Sequence, residues 1–373
     1  ADDIRRESAA LRAELKRLPW PRLEAFHVDD RAYELPWMPK LIAAGKLQEA
    51  PSQNELEYLA GFFDGDGCVR VGSSGSGCRL TVAQSVTNSH VLLRFANTFG
   101  GRIGICNQGI GLQRPSVQWD LYGHKAVEAA ASLQGASLVK KQQLALAMKW
   151  PSDLARRKQA QLQLTKYKRT DMDTCPFRPC SWHYIAGFFD AEGHLSVSPT
   201  GGLTVSWTQK FGKVLQAIQE SLKLHDQQLW ANVYSKTTSF AMVIGSTASS
   251  KRALRCMLDA GLLVKAEQAL AALKLTPTSV TSVAEVRAAI TERTGNQSFG
   301  RVLDAEGCQL AAEIWRQSNR ARKKSKSGQW VESQAILRDV ELLKADLSLH
   351  KAEQELESLR SFSTRLKQAT CAT

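Results

Sequence analysis

Residues 58–67 read YLAGFFDGDG and residues 184–193 read YIAGFFDAEG, so the chain contains two copies of one ten-residue motif. Seven of the ten positions are identical, and the copies lie 126 residues apart, about the length of a small domain. Because self-similarity at a wide spacing is typical of duplicated structural units, the motif predicts two related halves within the 373 residues.

The same series of predicted elements follows each copy. Two strand-like runs with alternating apolar residues come first, and then an amphipathic helix, two further strand-like runs and closing helices. In the first half these are 68–71, 78–86, 88–99, 102–106, 117–122, 124–133 and 138–150. In the second half they are 194–198, 203–209, 213–224, 228–234, 239–244, 248–260 and 264–273. We therefore predict an α+β fold in which an α-β-β-α-β-β-α unit is duplicated in tandem about a pseudo-twofold axis.

The remaining sequence suggests extensions and a linker around the two halves. The predicted units are a mainly helical N-terminal extension (1–53), the first half (54–150), a basic linker (151–181), the second half (182–275) and a helical C-terminal extension (276–373). The last unit ends in apolar residues at heptad-like spacing, which we expect to pack on the chain's own domain in preference to self-association. We place its basic run RARKKSK (320–326) between helices, and we interpret a further DAEG sequence (304–307) as coincidental.

Positive charge is concentrated in the central part of the chain. The formal net charge is +13, and residues 51–280 hold 25 Lys and Arg against 15 Asp and Glu. This excess favours an anionic partner such as nucleic acid, with a solvated basic surface as the alternative. No apolar run is long enough to cross a bilayer, so we expect no membrane partner.

The motif delivers acidic residues to the end of an apolar helix. Small residues at Ala60 and Gly61 allow two such helices to approach closely, and the glycine that ends each copy is a helix stop signal. Asp66 and Glu192 then lie at helix C-termini, where the helix dipole disfavours an unpaired carboxylate. Bound Mg²⁺ is the simplest compensation, although local amides could also satisfy these groups. If the helices pack side by side, the two carboxylates meet and could hold metals for phosphodiester hydrolysis.

The two copies resemble the signature of the LAGLIDADG homing endonucleases, in the single-chain form with two motifs. The resemblance covers residues 54–275 and implies a monomeric, site-specific endonuclease that cuts both strands of a long asymmetric double-stranded DNA site. The implied cofactor is Mg²⁺, or another divalent cation such as Mn²⁺. The resemblance assigns the metal to Asp66 and Glu192, with the backbone carbonyls of Gly65 and Ala191 as further ligands.

The same resemblance implies supporting residues around the metal. Asp64 and Asp190 match motif positions that are mainly structural. Three further catalytic residues would belong to a solvent network around the attacking water: Gln84, Lys140 and Lys265. In the second half, an alignment of LTVAQ with LTVSW places Trp207 at the glutamine position and Gln209 two residues beyond it. Gln209 would point to the same face of the strand, so it could take over that role.

DNA contacts are expected from the exposed faces of the strands, which would read base edges and hold phosphates. The candidates by alternation are Arg70, Arg79, Gln118, Ser196, Ser198, Gln228, Asn232 and Lys236. The alternative is an RNA-binding maturase, splicing factor or organellar RNA–protein assembly factor on the same fold, with intron or other structured RNA as its partner. The extensions motivate this alternative, because the C-terminal helix could dock a partner there.

The cysteines are scattered without a repeating framework, which suits reduced thiols inside a cell. Cys175, Cys180 and His183 could contribute to a zinc site, but incidental thiols are the simpler reading because a fourth ligand is missing. We expect an intracellular location, with an organelle favoured over the nucleus for a nuclear-encoded chain whose leader has been removed.

Overall fold

A computed structural model describes residues 2–39, 51–72, 77–171, 179–292 and 303–371 of the chain. Before the first motif lie one helix and a two-stranded hairpin: α1 (Asp2–Leu15), β1 (Ala25–Val28) and β2 (Arg31–Glu34). The prediction of a mainly helical extension is therefore wrong for the hairpin. Phe26 and Tyr33 are direct cross-strand partners with stacked rings, and such aromatic pairs favour strands over helix.

Each half contains the predicted α-β-β-α-β-β-α order and one further helix. The first half comprises α2 (Gln53–Asp66), β3 (Gly67–Val71), β4 (Cys78–Ser85), α3 (His90–Phe99), β5 (Arg102–Asn107), β6 (Ser116–Tyr122), α4 (Gly123–Gln134) and α5 (Lys141–Met148). A connecting helix, α6 (Leu154–Tyr167), occupies much of the predicted linker. The second half comprises α7 (Trp182–Glu192), β7 (Gly193–Val197), β8 (Leu203–Gln209), α8 (Lys213–His225), β9 (Asn232–Ser235), β10 (Phe240–Ile244), α9 (Thr247–Asp259) and α10 (Ala266–Leu273).

The strands of each half form one four-stranded antiparallel sheet. The orders are β3-β4-β6-β5 and β7-β8-β10-β9, so the two sheets have the same topology. The inward face of each sheet packs on helices, and it buries one large aromatic side chain in each half, Trp119 and Trp207. Helices and antiparallel sheets thus alternate along the chain, and the fold is the predicted α+β duplication.

The motif helices α2 and α7 pack against each other between the two sheets. A Cβ atom added to Gly61 would lie 2.2 Å from the carbonyl oxygen of Tyr184, and one on Gly187 would lie 2.0 Å from that of Tyr58. Real Cβ atoms do not approach a backbone oxygen so closely, so the two helices cross backbone to backbone. The small residues of the motif are required at this crossing, as the sequence predicted.

The described residues of the C-terminal extension form three helices: α11 (Val280–Glu292), α12 (Ala305–Lys326) and α13 (Trp330–Cys371). The second half of α13 packs on α1, where Leu15, Leu359, Phe362 and Leu366 form a small apolar cluster separate from the main core. The first half of α13 packs on α12. The long helix therefore packs on its own chain, as expected, and it joins the two ends of the described chain.

Two short sequences of the extension have structural roles. The basic run 320–326 forms the last turns of α12, so the prediction that it lies between helices is wrong. Basic side chains are favourable there because the C-terminus of a helix carries partial negative charge. Asp304 of the further DAEG sequence caps the N-terminus of α12 by accepting from the backbone N–H of Gly307 at 2.8 Å. None of the described helices combines the length and apolar composition needed to cross a membrane.

Candidate active site

The motif helices end side by side at Asp66 and Glu192. The next residue in each case is a glycine with ordinary negative φ, so its role is spatial rather than conformational. A Cβ on Gly67 would lie 2.3 Å from the ring of Phe63, and the matching position in the second half is equally closed. The chain therefore passes directly from helix to strand, and each acidic residue is the last residue of its helix.

The two helix ends are in direct contact. A Cβ on Gly65 would lie 2.3 Å from the Cβ of Ala191 and 2.9 Å from Cγ of Glu192. Burial raises the pKa of Glu192, and the nearby carboxylate of Asp66 raises it further. The structure thus brings together the two acidic residues and the two backbone positions that the sequence singled out for metal binding.

A glutamine amide lies against each carboxylate. Gln84 Nε2 donates to Asp66 Oδ2 at 2.5 Å. In the second half, a hydrogen bond from Gln209 opposes the effect of burial on the pKa of Glu192. Each acid is therefore oriented by an amide from the second strand of its own sheet.

The pairing of the strands corrects the sequence alignment of these glutamines. Gly67 is the cross-strand partner of Val82, whereas Gly193 is the partner of Trp207. Trp207 therefore corresponds to Val82 in the core, and the expectation that it takes the glutamine position is wrong. Gln209 corresponds to Gln84, because each lies two residues further along its strand.

The two predicted lysines reach the helix ends through their side chains. Lys140 Nζ donates to the backbone carbonyls of Phe63 at 2.8 Å, of Asp64, and of Gly65 at 2.8 Å. Lys265 Nζ donates to the carbonyl of Asp190. These ammonium groups bond carbonyls of the last helical turn, of which that of Phe63 also accepts from the N–H of Gly67, and they place positive charge at the negative end of the dipole. Each ammonium group also lies over a phenylalanine ring of its own motif, Lys140 Nζ 5.9 Å from the Phe63 ring centroid and Lys265 Nζ 5.8 Å from that of Phe189. Their place in a solvent network stays a prediction.

Electrostatic support crosses between the halves. Burial raises the pKa of Asp66, and among the opposing charges Lys265 of the other half acts more strongly than Lys140. For Glu192 the order is reversed, and Lys140 acts more strongly. Burial lowers the pKa of both lysines, while the surrounding carboxylates raise it. The four groups therefore form one charge cluster shared by the two halves.

The earlier acids of each motif are structural anchors. Asp64 is 1% exposed and accepts from the hydroxyl of Ser137 at 2.6 Å and from backbone N–H groups that precede α5. Tyr184 of the other half donates to the same carboxylate at 2.8 Å. Reciprocally, Tyr58 donates to Asp190 at 2.6 Å. Each anchor thus ties its own lysine-bearing loop and the opposite motif helix to one buried carboxylate.

The predicted DNA-contacting residues fall into three groups. We define the outer face of each sheet as the face away from the motif helices. Five candidates lie on the outer faces: Arg70, Arg79, Gln118, Ser196 and Asn232. Ser198 is engaged in the β7–β8 turn, where its hydroxyl accepts from the N–H of Gly202 at 2.8 Å.

The two remaining candidates, like Ser198, lie outside the strands. The predicted strand 228–234 is shorter in the structure and begins only at Asn232, so the placement of Gln228 on a sheet face is wrong. Gln228 instead lies in a turn, where its backbone N–H donates to the Asp226 carboxylate at 2.8 Å. Lys236 follows β9 in an exposed turn.

Sequence reasoning missed an outer-face cluster on the first sheet. Asp120 accepts from the Arg79 guanidinium and from Gln118 Nε2, the latter at 2.6 Å. The guanidinium carbon of Arg79 also lies 4.9 Å from the ring centroid of Tyr122. The alternation of Gln118, Asp120 and Tyr122 along SVQWDLY was the available signal, since residues two apart share a face.

The structure offers little support for a zinc site. Cys175 lies outside the described residues, and His183 Nδ1 is 2.9 Å from the carbonyl oxygen of Ala260. Burial raises the pKa of the Cys180 thiol to about 11, which disfavours the thiolate that binds metal. Within the described ranges, no group of three or more His, Cys, Asp or Glu side chains could hold a metal ion.

Comparison with known proteins gives similarity at the level of solved structures. A scan against protein-family models and a search of the curated proteins give no match. The chain is similar to the LAGLIDADG meganuclease I-AabMI bound to uncleaved DNA, with 16% identity and a TM-score of 0.45 over 63% of this chain and 97% of that chain. It is also similar to the I-LtrWI LAGLIDADG homing endonuclease bound to target DNA (13% identity, TM-score 0.45, 66% and 98% covered). A third similar structure is I-SmaMI bound to an uncleaved DNA target in the presence of calcium ions (15%, 0.43, 63% and 97%). Because these sequence identities and TM-scores are low, the function has to be argued from the residues of the site.

Proposed function

We propose that this chain is a site-specific endonuclease that hydrolyses both strands of duplex DNA with divalent metal held between Asp66 and Glu192. The observation that carries the proposal is the meeting of these two carboxylates at the ends of crossing helices. Each has a glutamine amide beside it, and two half-buried lysines share the cluster. The resemblance of both motif copies to one nuclease signature supports the same conclusion.

The donor set fits Mg²⁺. Mg²⁺ is commonly bound by one or two carboxylates together with water and substrate phosphate oxygens, so a third acidic side chain is not required. Asp66 and Glu192 supply the carboxylates. Burial raises the pKa of both, so their ionised forms are disfavoured in the metal-free site, and a bound cation would stabilise them. The carbonyl of Gly65 already accepts from Lys140 Nζ, so it could ligate a metal only through its second lone pair. We therefore assign the metal chiefly to the two side chains.

The surrounding residues have separable roles. Gln84 and Gln209 hold the carboxylates in one orientation, and the amide of each also keeps hydrogen-bonding capacity for a water molecule. Lys140 and Lys265 keep the helix ends in place and supply positive charge near a phosphate. When bound, a divalent cation would supply Lewis-acid activation of water and of the scissile phosphate. Two distinct halves would meet two distinct half-sites, so the target is asymmetric.

The test is incubation of the purified chain with a randomised duplex library and Mg²⁺, followed by sequencing of the cut ends. We expect cleavage at one long sequence, loss of cleavage in excess EDTA, and loss of cleavage with retained DNA binding in Asp66→Asn and Glu192→Gln. Asp339→Asn, an exposed position on α13, is the matched control and should cut at the wild-type rate. Wild-type cutting by either motif variant would disprove the assignment of the metal site.

The alternative is a role in RNA binding or RNA–protein assembly on the same scaffold. The observation that favours it is the module formed by α1, α12 and α13, which the cleavage site does not use. Sequencing of nucleic acid that co-purifies with the chain separates the two functions. Enrichment of intron or ribosomal RNA, together with absence of cleavage in the library experiment, would replace the nuclease proposal.

A further inference from the structure

The outer faces of the two sheets have matched positions but different chemistry. Strand pairing aligns each outer-face residue of the first sheet with one of the second, because both sheets share one topology and register. Arg70, Arg79, Arg102, Gln118 and Asp120 of the first sheet correspond in that order to Ser196, Thr204, Asn232, Ala241 and Val243 of the second. Every charged group in this set is therefore replaced by a neutral one.

On the first sheet, Arg79 is held in a fixed orientation. Its Nε donates to Asp120 Oδ1 at 2.9 Å, its Nη2 donates to the same oxygen, and its guanidinium lies over the Tyr122 ring. A guanidinium has five N–H groups, so three remain for another partner. These free N–H groups include the pair of donors that can bond both O6 and N7 of one guanine. Arg70, on the neighbouring strand directly opposite Arg79, adds a second exposed guanidinium.

On the second sheet, the matched surface is neutral. The positions that match the first sheet carry no Lys, Arg, Asp or Glu, since they are Ser196, Thr204, Asn232, Ala241 and Val243. Thr204 and Val243 are half-buried and present methyl groups, which contact the C5-methyl of thymine, whereas Ala241 is 1% exposed and presents none. Hydroxyl groups such as that of Ser196 bond any base and discriminate little.

Asn232 adds a preference for adenine on the second sheet. It lies on β9 opposite Val243, at the position that Arg102 takes in the first half. The indole N–H of Trp230 donates to Asn232 Oδ1 at 3.1 Å, which fixes the orientation of the amide. The amide nitrogen and the second lone pair of the oxygen stay free, and this is the pair that bonds N6 and N7 of adenine.

We propose that the two half-sites of the DNA target differ in base class. The half-site under the first sheet carries guanines read by Arg70 and Arg79, whereas the half-site under the second sheet is A·T-rich where Thr204, Asn232 and Val243 face it. The proposal rests on the proposed function, because it places both outer faces in the major groove of duplex DNA. It goes beyond that function by naming the chemistry of the substrate in each half.

The experiment is a binding selection with the full chain that carries Asp66→Asn and Glu192→Gln, so that bound duplexes from a randomised library stay uncut. The selected duplexes are sequenced, and the selection is repeated after adding Arg79→Lys or Thr204→Arg. We expect one G·C-rich and one A·T-rich half-site. Arg79→Lys keeps the charge but loses the fork, so it should abolish one guanine preference and weaken binding to the original site about tenfold. Thr204→Arg should create a guanine preference in the A·T-rich half.

Two controls keep the result interpretable. Arg338→Thr removes an exposed arginine on α13 and should leave the selected sequence unchanged. Circular dichroism of each variant shows whether it is folded, and Arg79→Gln serves as a second variant at the decisive position. Equal base composition in both half-sites, or an unchanged guanine preference in both folded Arg79 variants, would overturn this inference and leave the nuclease proposal standing. Failure to retain any duplex would overturn both.

Discussion

The C-terminal ends of α2 and α7 carry the same motif, but the chain holds them unequally. Asp64 accepts from one hydroxyl and three successive backbone N–H groups of its own half, those of Ser137, Leu138, Val139 and Lys140. Asp190 accepts from two backbone N–H groups of its own half, those of Leu263 and Lys265. The lysines differ in the same direction, since Lys140 bonds three carbonyls and Lys265 bonds one.

The two helix ends therefore carry the same reactive groups but are anchored differently. The acid, the amide and the lysine are present at both ends, so both halves supply the same groups to the shared cluster. The anchoring loop has diverged, because Leu262 stands where the first half has Ser137. A buried leucine adds apolar burial but gives no donor to the carboxylate. We therefore expect the first helix end to be the more firmly held.

The largest expected effect is on the anchoring carboxylates. Asp64→Asn should lower the free energy of unfolding by about 3 kcal/mol or more, because an amide cannot accept from all the donors around it and each orphaned buried group costs about 1–3 kcal/mol. Asp190→Asn should cost less, since fewer donors lose their partner. Urea denaturation of both variants measures the two losses. An equal loss, or a larger one for Asp190→Asn, would show that the anchors are equivalent.

A smaller effect should isolate the side chain that distinguishes the two loops. Ser137 is 1% exposed and its hydroxyl donates to Asp64 Oδ1, so Ser137→Ala should cost about 1.5 kcal/mol, as for a hydrogen bond to a charged group. The loss should shrink in the Asp64→Asn background, because the two groups act through one bond. Ser250→Ala, which removes a buried hydroxyl bonded to backbone carbonyls, is the matched control and should show no such coupling to Asp64. Additive losses at Ser137 would contradict the assignment.

The smallest expected effect concerns the pKa of Asp66 and Glu192, which burial raises at both helix ends. Burial raises the pKa of both Asp66 and Glu192, so each contributes stability that is fully present below its unfolded pKa and lost as pH rises through its folded pKa. Asp66→Asn and Glu192→Gln should therefore stabilise the metal-free protein at about pH 7 and lose that advantage at about pH 3. Denaturation in EDTA at both pH values measures this. A destabilised variant at neutral pH would mean that local donors, rather than burial, dominate.

Much of the candidate site could be predicted from the sequence. Asp66 and Glu192 meet because the duplicated motif ends each helix at its acidic residue. Lys140 and Lys265 join them because the backbone N–H of each lysine donates to the anchoring acid of its own motif. The glutamine of the second half was misplaced, since matching letters in LTVAQ and LTVSW hide a shift of two residues. The turn of the β7–β8 hairpin sets the register, and a period-two pattern gives no information on slips by two residues. Only the pairing of Gly193 with Trp207 resolves it.

The sequence by itself determined the duplication, the order of helices and strands, and the residues that end each motif helix, because these follow from local periodicity and from glycine and acid positions. Tertiary structure decided that the lysine of each half acts more strongly on the carboxylate of the other half, and that each anchor accepts from the tyrosine of the opposite motif helix, because these groups come together only where the two halves meet. It also decided that the first sheet presents a charged outer face and the second a neutral one. Each residue was visible in the sequence, but only strand register shows that Arg79 and Thr204 occupy the same place.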